Sequence, residues 1–121
     1  MHKVNISEKL DLINDHWNPR IAGELNGQHI RLVKIKGELA YHQHENEDEM
    51  FLVIKGNLKL DFKGKIVDVG EGEFFIVPKG VTHRPIADEE VQLMMFVTAS
   101  NINTGDIVND FTLDTNTLDR I

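Results

Sequence analysis

From Arg20 to Val97 the chain never runs apolar for long before turn residues cut it. The cuts fall at Asn26-Gly27, Lys55-Gly56-Asn57, Lys63-Gly64, Gly70-Glu71-Gly72 and Pro78-Lys79-Gly80. Between the cuts from Lys55 to Gly80, what remains is too short for helices, which need about 10–12 residues, and long enough for strands. The pattern predicts strands over about 20–25, 29–35, Met50–Ile54, Leu58–Phe62, Lys65–Val69, Phe74–Val77 and Val91–Val97. Asn26-Gly27 is the strongest hairpin signal, because both residues tolerate the positive φ of a tight turn. Leu58, Leu60 and Phe62 alternate with Lys59 and Asp61, as a half-buried strand requires. Many short strands with Gly-rich turns indicate an all-β sandwich or barrel.

The ends differ from this middle. Ser7 is expected to cap a short helix over Glu8 to Ile13, with Leu10 and Ile13 on one face, before Trp17-Asn18-Pro19 breaks it. Residues 100–121 form a polar tail rich in Asn, Asp and Thr, able to wrap the barrel, meet a second subunit or stay loose.

The 121 residues suit one domain, expected to span 1–121. A net charge of −7 argues against nucleic acid, whose phosphates need clustered Lys and Arg. There are no cysteines, so disulfides, thiolate metal sites and thiol nucleophiles are excluded together. Any metal must be held by nitrogen and oxygen. No apolar run resembles a signal peptide or reaches the ~20 residues of a membrane-spanning helix, so no membrane partner is expected and the expected compartment is the cytoplasm.

The segment Tyr41-His42-Gln43-His44-Glu45-Asn46-Glu47-Asp48-Glu49 carries the most chemical information. On a strand, His42 and His44 would share a face, since side chains repeat every second residue. Glu49 opens the next apolar segment, and a hairpin would return its carboxylate to the two rings. His83, after the turn at Pro78-Lys79-Gly80, is the fourth candidate. Three imidazoles and a carboxylate suit iron, manganese, nickel, zinc or copper, and leave open positions on a six-coordinate ion. His2, His16 and His29 lack partners at ligand spacing and read as surface or satisfied residues.

Taken together, these segments resemble the cupin family. Gly37, His42-Gln43-His44, Glu49 and Gly56 are similar to its first motif, spanning 37–56. Gly72, Pro78-Lys79-Gly80 and His83 are similar to its second, spanning 72–87. Two departures stand out: the Gly37-to-His42 spacing is one residue short, and Ala87 stands where the family has Asn. A turn can absorb the first without moving the ligands, and the Asn of the second is not a metal ligand in the family. The resemblance implies a cupin jelly-roll β-barrel, commonly a homodimer, with one divalent transition-metal ion on His42, His44, Glu49 and His83.

Strand parity places Ala40 on the face of His42 and His44, and puts Phe51 and Val53 on the face of Glu49. Tyr41, Gln43 and Arg84 turn away, although Arg84 could reach the rim to hold an anion. Met50, Met94 and Met95 read as core. Glu47 and Asp48 are acidic neighbours of the cluster, read as solvated, and no residue identifies itself as a catalytic acid or base. The expected function is a metal-dependent enzyme acting on a small organic molecule, dioxygenase- or isomerase-like. The alternative is a cupin that binds a sugar or organic acid without turnover.

Overall fold

The computed structural model describes residues 1–121. Helix α1 (Ile6–Leu10) precedes seven strands: β1 (Arg20–Leu25), β2 (Gln28–Glu38), β3 (Glu49–Lys55), β4 (Leu58–Asp61), β5 (Ile66–Val69), β6 (Phe74–Val77) and β7 (Arg84–Thr98). All strand pairs are antiparallel, and the strands run in the order β1-β2-β7-β3-β6, with β4 joining β7 to β5. β7 organises this sheet. One edge pairs with β2 from Thr98 to Ile86, while the other meets β3 through Gln92–Phe96 and β4 through Arg84–Ile86. A strand shared in this way closes the jelly-roll barrel.

The predicted hairpin is present. Asn26 and Gly27 both have positive φ, 52° and 74°, between β1 and β2. Gly56 is required where it stands, with φ +98° and a Cβ that would come within 2.9 Å of the Glu90 carbonyl oxygen.

Eleven buried residues fill the barrel, among them Val33, Ile35, Phe51, Val53, Leu58, Leu60 and Leu93. Leu32, the neighbour of Val33, faces the other way and packs with Leu10 and Ile13 under α1. β2 is therefore apolar on both faces, which anchors the helix to the outside of the sheet.

Three expectations need correcting. The helix begins at Ile6 rather than Glu8, because Asn5 and not Ser7 is the cap, its Oδ1 accepting from Glu8 N at 3.0 Å. β7 starts at Arg84 rather than Val91, since Pro85 and Asp88-Glu89-Glu90 hide its first half from a hydrophobic reading. Residues 39–48 lie outside the named strands. The tail packs on the barrel, with Ile21 N donating to Asp119 O at 2.8 Å and Asn101 and Thr104 buried. No helix is long and apolar enough to cross a membrane.

Candidate metal centre

The segment carrying His42 and His44 is held by pairings that do not need a regular strand. His42 and His83 form an isolated antiparallel bridge, each N–H donating to the other's carbonyl at 2.9 Å. Two residues on, Gly80 N donates to His44 O at 2.8 Å. Glu49 is the first residue of β3, opposite Val77 of β6. The two halves of the motif thus meet through backbone.

All four residues are buried: His42 is 3 % exposed, His44 6 %, Glu49 2 % and His83 0 %. One ligand atom from each lies within 4.8 Å of all the others, a group that could hold a metal ion. His44 Nε2 stands 3.1 Å from Glu49 Oε2, and His83 Nε2 stands 3.3 Å from Glu49 Oε1. The rings of His42 and His83 have centroids 4.6 Å apart.

The outer ring nitrogens are already engaged. His42 Nδ1–H donates to Ala40 O at 2.8 Å and His83 Nδ1–H to Val81 O at 2.9 Å. In the neutral ring each bond places the proton on Nδ1 and leaves Nε2 its lone pair, the arrangement usual for metal-bound histidine. His44 Nδ1 lies 3.3 Å from the Asn101 amide, which orients the third ring. Its Nε2 is buried without a hydrogen-bond partner, the 3.1 Å approach to Glu49 lacking the alignment for one. A buried polar atom without a partner is costly, and a metal ion would satisfy it. The residues fit such an ion.

The electrostatics agree with that fit. Burial would raise the Glu49 carboxyl, but contacts with His44 and His83 outweigh it and hold it at about 2. Burial lowers His42 from its ordinary 6.5, keeping it neutral. His44 is pulled down by burial but raised more strongly by Glu49, Glu47 and Asp106.

A cavity beside the cluster is lined by His42 and Glu49 together with Trp17, Val33, Ile35, Leu39, Phe51, Leu93 and Met95. Its volume, counted as space open to the centre of a water molecule, is about 40 Å³. Phe51 lies where parity put it. Ala40 does not: it is exposed and Leu39 takes the interior place, because β2 ends at Glu38 and strand alternation stops there.

Arg84 is also not at the cavity. Its guanidinium pairs with Asp61 at 3.1 Å and Glu38 at 3.5 Å, and lies 4.4 Å from the Tyr41 ring centroid. Glu47 accepts from Thr98 Oγ1 at 2.8 Å and Asp48 from Lys79 N at 2.9 Å, so both serve as loop fastenings. His29 is buried and satisfied, accepting at Nδ1 from Arg31 Nε at 3.2 Å.

Sequence reasoning missed four contributors. Arg31 lines the cavity and is 2 % exposed. It shares the parity of Val33 and Ile35, so alternation along β2 could have found it. Asn101 and Asn103 reach the cavity from the tail, for which no periodic signal exists. Gly105 presses the tail against the cluster: a Cβ there would meet Gln43 O and lie 2.8 Å from His42 Cδ2. Gln43 and Asp106 hydrogen-bond both ways beside it, at 2.9 and 3.0 Å.

Comparison with known proteins agrees with this geometry. Residues 30–99 match the cupin domain family (Cupin_2), a span that includes all four clustered residues. A crystal structure of a cupin-2 domain containing protein from Shewanella frigidimarina NCIMB 400 is 39% identical, with a TM-score of 0.76 over 77% of this chain and 91% of that one. Protein NMB1881 from Neisseria meningitidis is 30% identical, with a TM-score of 0.73 over 80% of this chain and 99% of that one. The uncharacterized protein YdbB of Bacillus subtilis (strain 168) is 39% identical over 70 residues, 57% of this chain. That match spans 61% of the relative's length.

Proposed function

The chain belongs to the cupin domain family, and we propose that it is a single-domain, metal-dependent enzyme acting on a small organic substrate. In this reading His42, His44, Glu49 and His83 hold one divalent transition metal. The observation that carries it is His44 Nε2, buried without a hydrogen-bond partner among three other potential ligand atoms. Such an ion (iron, manganese, nickel, zinc or copper) supplies Lewis acidity to a substrate oxygen, or oxygen activation in the case of iron.

The chain's own residues do the rest. Val33, Phe51, Leu93 and Met95 give the cavity apolar walls, which strengthen every polar contact made inside it. Arg31, Asn101 and Asn103 are the polar residues lining the cavity outside the cluster. A homodimer belongs to the same reading, supported by the exposed Phe74 and Ile76 on the sheet-edge strand β6.

One observation favours the second reading, binding without turnover. The cavity lining has no carboxylate or imidazole beyond the cluster itself to serve as general acid or base. The test is metal-loaded protein against a panel of diketones, catechols and keto acids. Turnover that stops on chelation and returns with metal supports the enzyme. Binding without turnover supports the alternative, and neither would contradict both.

A further inference from the structure

The cavity contains a cation that the metal cluster does not explain. Arg31 stands on the interior face of β2 with Val33 and Ile35. Across the sheet it is opposite Met95 of β7, which is in turn opposite Phe51 of β3. A guanidinium in such an apolar row is expensive unless a negative charge meets it. None does within salt-bridge distance. Its four contacts go to neutral acceptors: Nη1 to Asn101 O at 2.8 Å, Nη2 to Ala99 O at 3.2 Å, and Nε and Nη2 to His29 Nδ1 at 3.2 Å each.

These contacts fix the group without satisfying it. Arg carries five N–H donors, two of them on Nη1, and Nη1 has one acceptor. The two nearby carboxylates face other groups: Glu49 lies 3.1 and 3.3 Å from His44 and His83, and Glu47 accepts from Thr98 and Ser100 at 2.8 and 3.2 Å. A divalent ion on the cluster would add two positive charges against the single charge of Glu49. Together with Arg31 the cavity would then be cationic, lined by apolar walls, and complementary to an anion.

We propose that Arg31 is the anion-recognition group of this cavity and that the natural ligand is a compact carboxylate, bridging Arg31 and the metal cluster. The size follows from the volume: about 40 Å³ of space open to water centres holds about three waters at ~10–15 Å³ each. A short 2-oxo acid has the matching parts, a carboxylate for the guanidinium and a neighbouring oxygen for the ion. Arg31 thus sets specificity. The ligand's second contact rests on the metal-binding reading above, whereas the role of Arg31 does not.

The test pairs 2-oxobutyrate with 2,3-pentanedione, which replaces the carboxylate by an acetyl group of similar shape. Both are titrated calorimetrically into zinc-loaded wild type, Arg31→Met and Arg31→Lys, each checked for fold by circular dichroism and for zinc by elemental analysis. The metal itself favours acids, so the informative quantity is how the preference changes with Arg31. Arg31→Met should weaken 2-oxobutyrate by at least about tenfold, the loss of one charge-assisted contact, and leave 2,3-pentanedione unchanged. Arg31→Lys should keep most of the preference, and it decides the matter if Arg31→Met does not fold. Equal loss of both probes, or no loss of either, would overturn the proposal and leave Arg31 as a fastening for the tail. Chelator-treated wild type separates the two readings. A preference for the acid that persists there, in a protein that takes up no metal, would support Arg31 while contradicting the metal centre.

Discussion

His42 and His83 are joined by their backbones before any metal is considered, each N–H donating to the other's carbonyl at 2.9 Å. Their rings lie side by side with centroids 4.6 Å apart, and each is oriented by its own bond to the carbonyl two residues earlier. The site is therefore preorganised by main chain, and side-chain changes at the cluster should alter metal binding more than fold.

His44 tests that separation, because its side chain takes no part in the bridge. His44→Ala should lower metal affinity by at least about 10-fold while the far-ultraviolet circular dichroism spectrum stays that of a β protein. Glu45→Ala, at an exposed neighbouring position, should leave metal content unchanged. A large loss in the second variant would place the carboxylate ligand elsewhere than Glu49.

Gly105 links the tail to the cluster. A side chain there would strain a φ of +59° and press on Gln43 O and His42 Cδ2. Gly105→Ala should cost about 1–3 kcal/mol in urea denaturation, the usual range for overpacking. It should also weaken metal binding although residue 105 bears no ligand. Unchanged affinity would mean that the tail does not hold His42 in place.

Protons compete with a metal for the histidines. His44 is held above its ordinary 6.5 by Glu49, Glu47 and Asp106, against the opposing effect of burial. Zinc affinity should therefore begin to fall above that value as the pH is lowered from about 8 to about 6. Glu47→Gln removes one of the neighbours that raise His44 and should move the onset to lower pH. Calorimetry at a series of pH values reads both effects, and an onset unmoved by the substitution would contradict the assignment.

Asp61 gives a pH dependence outside the cluster. The Tyr41 hydroxyl holds its carboxyl below the ordinary 3.8, aided by Lys63 N and Arg84 and opposed by burial. A depressed folded-state value stabilises above 3.8, and the contribution is lost as the pH falls through the folded-state value. Asp61→Asn should be less stable than wild type near neutral pH, and the gap should narrow in acid. A gap that stays constant down to about pH 2 would count against the linkage.

The parts legible in the sequence were those where side-chain pattern and turn chemistry act locally. Asn26-Gly27 announces its hairpin, β6 (Phe74–Val77) is found at its observed bounds, and Phe51 and Val53 fall on the face of Glu49 by simple alternation. The cluster was legible because motif spacing survives the loss of a regular strand between Leu39 and Asp48. What failed needed long-range contacts. Ala40 was misplaced because alternation was carried past the end of β2. The first half of β7 was missed because Asp88-Glu89-Glu90 are exposed there. The tail's hold on Gln43 and His44, through Asp106 and Asn101, joins residues 57 to 63 positions apart. Arg31 was available to parity reasoning, yet an arginine on a strand reads as surface until the barrel closes around it.

The most direct measurement is elemental metal content of untagged protein purified without chelators or a nickel column. The four-residue site predicts about one transition-metal ion per chain, lost from the His44→Ala variant. Less than about a tenth of an ion per chain, with none taken up when metal is added back, would contradict the metal centre.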